Sequence, residues 1–216
     1  MVYKIIDYIA RILSYIINIY VIKSYSYLKN KTIWYAYKRK FARAGEDVRI
    51  NVPFQIKSPE RISIGSNVYI GRGAILEVWG DNKDAFINIG NDVCIAVDCH
   101  IGAINGVTID NGVLIAGKVL IEDHFHGNTT RDDLLIKPVA RELVSKGKIH
   151  ICENVWIGEN VVVMPGVTIG KGAIIGANST VTKSIPEYSV AVGSPAKVIK
   201  TFNRMENRSE TEIYKN

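Results

Sequence analysis

Large aliphatic residues recur at every sixth position over most of the chain, in runs of three. The residue two places before each of them is also small or apolar, as at Val68, Cys99 and Val155. This spacing predicts short strands that each turn two side chains inward. The five runs are Ile64, Ile70, Leu76; Ile89, Ile95, Ile101; Ile109, Ile115, Ile121; Ile151, Ile157, Val163; and Ile169, Ile175, Val181.

Away from the corners with insertions, a second series lies three residues after the aliphatics and consists of Gly, Asn and Asp, with Lys118 as the one exception. These residue types tolerate a positive φ angle, so each unit is expected to end in a left-handed turn. A chain that turns sharply every six residues cannot form a helix or a long flat strand, and we predict a parallel β-solenoid. The series is Asn67, Gly73, Asp92, Asp98, Gly112, Asn154, Asn160, Gly166, Gly172 and Asn178.

Three insertions interrupt the six-residue step, and each follows the third member of a run. The step is 13 residues from Leu76 to Ile89, 8 from Ile101 to Ile109, and 30 from Ile121 to Ile151. If three units make one triangular coil, all insertions leave the prism at the same corner. Five coils stacked at roughly 4.8 Å give a prism about 24 Å tall. Ile50 and Ile56 are candidates for an imperfect additional coil.

The N-terminal region carries a different, helical pattern. Its uncharged run, Ile12 to Ile22, is 11 residues long. That run spans roughly 16 Å as a helix, against about 30 Å for a bilayer core. An amphipathic helix is the better interpretation. Its apolar side would carry Ile5, Ile9, Ile12, Ile16 and Tyr20, and its polar side Lys4, Asp7, Arg11, Ser14 and Asn18.

Basic residues follow this helix, at Lys29, Lys31, Lys38, Arg39, Lys40 and Arg43. The combination fits attachment to an anionic membrane, and it fits equally well a helix that caps the prism or packs on a sister subunit. Because no cleavage site follows the apolar run, we expect a cytoplasmic protein, with peripheral membrane contact left open. The expected organisation is an appendage at 1–45, the solenoid at 46–200 with a loop at 122–148, and a polar tail at 201–216.

Composition and charge exclude only a few classes of function. The chain has 216 residues, 47% hydrophobic and 22% charged, with a net charge of +6, so a folded domain is expected. No zinc finger, recognition helix or aromatic-basic platform indicates nucleic acid. Cys94, Cys99 and Cys152 are expected to be reduced thiols. A zinc site that joined a cysteine to His100 or His150 has no CxxC pair to support it, and no metal is expected.

The longest insertion is the first place to look for chemistry, because long loops on rigid scaffolds often carry function. It opens with Asp123-His124-Phe125-His126, which holds two of the four histidines. In an extended segment both imidazoles project on one side, and imidazole suits proton transfer near neutral pH. Two solvent-exposed loop histidines without a catalytic role explain the same pattern equally well. No serine or cysteine triad is evident.

Several segments together resemble the galactoside and maltose O-acetyltransferases of the hexapeptide-repeat acyltransferase family, over about residues 62–200. The Asp123–His126 signature is similar to the branch that modifies capsule, O-antigen and other cell-surface sugars. The resemblance implies a left-handed parallel β-helix, acetyl-CoA as donor, and a homotrimer with active sites between subunits. The segments are 108–116 (TIDNGVLIA), 154–158 (NVWIG), 165–170 (PGVTIG), 175–177 (IGA), 181–183 (VTK) and 193–197 (GSPAK).

The resemblance also implies roles for individual residues. The histidine five residues after the repeat aliphatic is the general base, which is His126 counted from Ile121. His124 would orient the acceptor or support His126, and Asp123 would contact the acceptor or fix a histidine tautomer. The backbone amide near Glu159 would hold the thioester oxyanion. Trp156 would line the acceptor pocket or simply pack at a corner. Positions that match cofactor contacts are Ala177, Thr182, Lys183, Lys197 and Lys200.

The main hypothesis is therefore transfer of an acetyl group from acetyl-CoA to a hydroxyl of a cell-surface polysaccharide or its precursor, without a covalent enzyme intermediate. If the N-terminal helix meets a membrane, the acceptor would be lipid-linked. One alternative keeps the chemistry and changes the acceptor to an antibiotic or an amino sugar. The other is a catalytically silent scaffold in glycan assembly.

Overall fold

A computed structural model describes residues 2–17, 19–128, 130–202 and 209–210. Its strands, numbered in chain order, stack parallel into three sheets. Sheet A comprises β1 (Arg43–Ala44), β4 (Ile62–Ile64), β7 (Ile87–Ile89), β10 (Val107–Ile109), β15 (Ile149–Ile151) and β18 (Thr168–Ile169). Sheet B comprises β2 (Arg49–Ile50), β5 (Tyr69–Ile70), β8 (Cys94–Ile95), β11 (Leu114–Ile115), β16 (Trp156–Ile157), β19 (Ile174–Ile175) and β21 (Ser189–Val192). Sheet C comprises β3 (Gln55–Lys57), β6 (Ile75–Val78), β9 (His100–Ala103), β12 (Leu120–Glu122), β17 (Val162–Val163) and β20 (Thr180–Val181).

The chain visits sheets A, B and C in turn, so each circuit is one triangular coil of the column. All the aliphatics of the six-residue series point inward and are at most 3% exposed. They stack in register, with Ile64 opposite Ile89 and Ile109 opposite Ile151. Burying each large aliphatic side chain contributes about 1.5–3 kcal/mol, so this interior is the main source of stability. The predicted repeat is confirmed. Ile50 and Ile56 also lie in strands, paired with β5 and β6, ahead of the first regular run.

The turn prediction is confirmed residue by residue. Every Asn, Asp and Gly of the second series has a positive φ, between 55° at Asn67 and 78° at Gly166. Lys118, the exception by residue type, has a φ of 58° and makes the same turn. The fold therefore imposes the left-handed conformation even on a lysine, which is strained there because its Cβ crowds the following carbonyl.

All three insertions leave the column between sheet C and sheet A, as predicted, connecting β6 to β7, β9 to β10 and β12 to β15. We call this edge the C–A corner. The longest insertion contains β13 (Phe125–His126), paired antiparallel with β14 (Leu143–Val144). It also contains the helix α3 (Arg131–Leu135) and a 3-10 turn at Pro138–Ala140. A capping box between Thr130 and Asp133 starts α3.

Two helices precede the column, α1 (Val2–Ile16) and α2 (Ile19–Lys38). The expectation of one helix continuing through Tyr20 is wrong, because Tyr20 belongs to α2. Asn18 and the side chain of Ile16 lie outside the described residues. The end of α2 is anchored on the column by Trp34, 3% exposed and 5.6 Å from the ring of Phe41.

The first helix keeps its apolar residues at the surface, with Ile5, Ile9 and Ile12 about half exposed, at 54%, 50% and 48%. Within the described residues, neither helix alone has the length and apolar character to cross a bilayer. Taken together across their bend, the two helices do reach that length and composition.

At the other end, β22 (Lys197–Phe202) folds back antiparallel on β21 and closes the column. A short strand, β23 (Ser209–Glu210), pairs with β22. Phe202 thus belongs to the closing strand. The rest of the expected tail, 203–208 and 211–216, lies outside the described residues.

Candidate active site

The C–A corner is organised around Asp123, which is fully buried. Its carboxylate accepts three backbone hydrogen bonds, from Ile104 N at 2.8 Å, Asn105 N at 2.9 Å and Gly106 N at 2.6 Å. A buried carboxylate is costly unless it is hydrogen-bonded in this way. Asp123 therefore ties the start of the longest insertion to the short insertion of the coil below.

The same carboxylate faces His124, whose Nδ1 is 3.3 Å from Asp123 Oδ1. The side chain of His124 is only 9% exposed. This contact holds the His124 ring against a carboxylate, an arrangement that favours a proton on Nδ1. Asp123 itself has no exposed surface in the described chain.

His126 has different surroundings from His124. It ends β13, where it pairs with Leu143, and its side chain is exposed. Phe125 pairs with Val144 in the same hairpin and is half-buried. The structure thus brings a carboxylate-oriented histidine and a solvent-facing histidine together within three residues.

A cluster that the sequence analysis missed lies on sheet C beside this corner. His100 Nε2 is 3.5 Å from Glu77 Oε2 and 3.6 Å from Glu122 Oε1. Glu77 is 5% exposed and accepts a hydrogen bond from Trp79 Nε1 at 3.0 Å. Glu77 and Glu122 each follow the third aliphatic of a run, so the repeat register could have placed them on either side of Gly102, on the two coils that flank the strand of His100. The cluster adds negative charge next to His124.

The residues expected to bind the thioester lie at the corner between sheets B and C, which we call the B–C corner. Glu159 and Ala177 follow β16 and β19 by two residues and are exposed. Their turns stack, with Asn178 N donating to Glu159 O at 2.9 Å. Trp156 lies nearby in β16 and is 50% exposed.

The other expected cofactor contacts are spread over the last coil and the closing strand. Thr182 and Lys183 follow β20 at the C–A corner and are exposed. On β22, Lys197 is exposed, and Lys200 is half-buried with its ammonium 4.5 Å from the centre of the Phe202 ring. Accessible lysines are suited to bind phosphates as point charges. Within one chain, His126 and Glu159 project from different corners.

Comparisons with known proteins agree with this architecture. The chain matches the bacterial transferase hexapeptide (six repeats) family over residues 148–183. It is 40% identical to Escherichia coli K12 WbbJ, named for lipopolysaccharide biosynthesis O-acetyl transfer, over 158 residues, 71% of this chain and 79% of that one. It is 35% identical to the galactoside O-acetyltransferase of the same strain over 183 residues, 82% of this chain and 72% of that one. Among solved structures, the chain resembles a point mutant of the N-acyltransferase AntD from Bacillus cereus, which was solved in complex with dTDP and coenzyme A. The match has a TM-score of 0.66 and 25% identity, and it covers 79% of this chain and 89% of that one.

The column and its corners thus define a left-handed β-helix of the acyltransferase class. The chain belongs to the hexapeptide-repeat acetyltransferases, as the sequence resemblance predicted. It is an acetyltransferase that uses acetyl-CoA as its donor.

Proposed function

We propose that this enzyme acetylates a sugar hydroxyl of a cell-surface polysaccharide or its precursor. The observation that carries the proposal is the C–A corner, where exposed His126 lies two residues from the buried Asp123–His124 pair. The names of WbbJ and of the galactoside enzyme support a saccharide acceptor and an oxygen nucleophile.

In this proposal His126 is the general base. Its imidazole takes the proton of the acceptor hydroxyl while that oxygen attacks the thioester carbonyl. The new C–O bond forms, the negative charge of the tetrahedral intermediate is held by the Glu159 backbone N–H, and the C–S bond then breaks. The proton carried by His126 goes to the departing CoA sulfur. Asp123 and His124 hold the hairpin so that His126 meets the acceptor, and Trp156 lines the acceptor side.

The separation of His126 from Glu159 supports an active site that is shared between chains of a homotrimer. His126 and Glu159 lie at different corners of one prism, so the C–A corner of one subunit would face the B–C corner of the next. The outer face of sheet B supplies an apolar contact surface for such packing. Its exposed row includes Tyr69 at 38%, Leu114 at 44% and Trp156 at 50%.

An acceptor screen tests the function most simply. Purified enzyme and acetyl-CoA are incubated with neutral saccharides, amino sugars and antibiotics, and release of the CoA thiol is followed. We expect release with a hydroxyl saccharide, and an O-acetyl ester in the product by mass spectrometry. Release only with amines or antibiotics would contradict the proposed acceptor class.

The amino-sugar alternative has one specific observation in its favour. AntD, a structural neighbour, is an N-acyltransferase and was solved with dTDP and coenzyme A. In the screen this alternative predicts an amide product that resists mild alkali, whereas an O-acetyl ester is cleaved.

We further propose that α1 contacts an anionic membrane, which would bring the enzyme to a lipid-linked acceptor on the cytoplasmic face. The half-exposed isoleucines of α1 and the cations of the following segment support this contact. Flotation with vesicles of phosphatidylcholine, with and without phosphatidylglycerol, tests it. Ile9→Asp should abolish binding to the anionic vesicles, whereas Ser14→Asp, the same charge change on the polar side, should retain most of it. Absence of wild-type binding, or equal loss in both variants, would contradict the contact.

A further inference from the structure

Three side chains of metal-ligating types converge on sheet A, at the end of the strands away from the C–A corner. A carboxylate oxygen of Asp110, a ring nitrogen of His150 and the sulfur of Cys152 all lie within 4.8 Å of one another. His150 Nε2 is 2.8 Å from Asp110 Oδ2. All three residues are half-buried, so the group is held by the scaffold and still open to solvent.

The repeat register creates this cluster from residues far apart in the chain. Thr108 pairs with His150 and Ile109 with Ile151, which makes Asp110 the neighbour of Cys152 on the adjacent coil. The equivalent position on other coils is glycine, at Gly65, Gly90 and Gly170. Among the described coils, only these two adjacent ones carry a side chain with a ligand atom there, beside the one histidine in the row.

We propose that Asp110, His150 and Cys152 bind one divalent metal ion of the zinc class. Thiolate, imidazole and carboxylate are the three ligand types that zinc takes in proteins, and three protein ligands leave one position for water. Zinc–ligand distances of about 2.0–2.3 Å require the nitrogen and oxygen to stand roughly 3.3 Å apart in a tetrahedral site. The present hydrogen bond needs to open only slightly to admit the ion.

The surrounding charge favours a cation. Burial raises the pKa of the Cys152 thiol, and the negative charges of Asp110, Glu153 and Glu187 raise it further. A positive group is close as well, since Lys171 Nζ forms an ion pair with Glu153. A metal ion would offset this negative field and displace the thiol proton to solvent.

The position of the site indicates its role. Asp110 precedes the longest insertion, and His150 and Cys152 follow it, so a bound ion would clamp the two coils that the insertion separates. Stabilisation by such a clamp comes from binding the folded form alone. The inference does not depend on the identity of the acetyl acceptor.

Cobalt binding to the chelator-treated full-length protein tests the site directly, since a cobalt–thiolate bond gives a charge-transfer absorption that identifies a cysteine ligand. We expect one Co²⁺ per chain with that absorption, displaced by Zn²⁺. Cys152→Ala should abolish the absorption, and His150→Ala or Asp110→Ala should weaken binding at least tenfold. Cys94→Ala is the matched control, because Cys94 is also a half-buried free thiol and should be without effect.

Alkylation of the wild-type protein gives a second test that needs no variant. Zinc should slow modification of Cys152 at least tenfold and leave Cys94 unchanged, as mapped by peptide mass. The melting temperature should rise with zinc in the wild type and not in Cys152→Ala. A missing thiolate band, a band that persists in Cys152→Ala, or alkylation of Cys152 at the same rate with zinc would overturn the proposal.

Discussion

Ile121 and Asp123 lie two residues apart and are both fully buried, yet for opposite reasons. Ile121 is an inward position of the repeat and is held by stacked aliphatics on the neighbouring coils. Asp123 is the first residue beyond the column and is buried only because three backbone N–H groups surround its carboxylate. The column is thus determined by one rule repeated many times, whereas the C–A corner depends on individual polar contacts. The regular part supplies the rigidity that lets the irregular part hold a histidine in place.

The largest effect on stability should come from adding a side-chain atom between two tightly packed coils of the column. A Cβ added at Gly71 would lie 2.5 Å from the carbonyl carbon of Ala96 on the next coil. We expect Gly71→Ala to lower the free energy of unfolding by about 3 kcal/mol, the upper end of overpacking costs. Denaturant unfolding measures it.

Gly80 provides the control in the first insertion. It has a φ of 76° and no atom within 4 Å of an added Cβ. Gly80→Ala should cost only about 1 kcal/mol, from the left-handed backbone. Equal costs at Gly71 and Gly80 would show that the coils do not pack as tightly as described.

At the corner, Asp123→Asn should lower kcat by about 10–100-fold, by analogy with the loss of a carboxylate that orients a metal-ligating histidine. An amide fails to fix the same tautomer of His124, and its NH₂ group opposes one of the backbone donors. The KM for acetyl-CoA should change little. Steady-state kinetics alongside circular dichroism separates a positioning defect from unfolding, and a drop in kcat matched by loss of folded protein would argue against positioning.

A smaller effect is expected at the residues that are expected to bind CoA. Lys183→Glu should raise the KM for acetyl-CoA about tenfold, since a reversed point charge weakens phosphate binding by about 1.4 kcal/mol. The KM for the acceptor should hardly move. Lys171→Glu is a control for net charge, because Lys171 pairs with Glu153 on sheet A. Equal changes in both KM values would remove Lys183 from the CoA site.

The smallest effect should be a gain in stability. Lys118 adopts a φ of 58° where the repeat otherwise uses Asn, Asp or Gly. Lys118→Asn should raise the free energy of unfolding by about 0.5–1 kcal/mol, because asparagine is less strained in that conformation. Its ammonium is 3.8 Å from Glu159 in an exposed ion pair, whose loss should cost little. Destabilisation by Lys118→Asn would show that this contact outweighs the strain.

Sequence alone was sufficient to predict the column, because a period of six leaves few alternatives and Asn, Asp and Gly mark the turns independently. It also predicted the shared corner of the three insertions, which follows from counting. It could not predict the break between α1 and α2, since the apolar pattern continues through Tyr20. Nor could it predict the burial of Asp123, because the backbone donors at 104–106 come from a different coil.

The sequence analysis rejected a zinc site that joined a cysteine to His150, and it missed Asp110, for a related reason. A search for metal motifs looks for ligands a few residues apart, whereas these are separated by 40 positions and meet only because the coils stack. The Glu77–His100–Glu122 cluster is similar, with each side chain supplied by a different strand of sheet C.

The most direct test of the account is the rate of CoA thiol release by His126→Ala with a competent acceptor, measured beside Lys137→Ala, which removes an exposed side chain from the same insertion. We predict that His126→Ala lowers kcat by about 10²–10⁴-fold, the range for loss of a general base, with the KM for acetyl-CoA nearly unchanged and Lys137→Ala close to wild type. Undiminished turnover by a correctly folded His126→Ala protein would contradict the assignment of the base. If His124→Ala alone abolished turnover, the proton would have to be taken by the histidine that Asp123 orients.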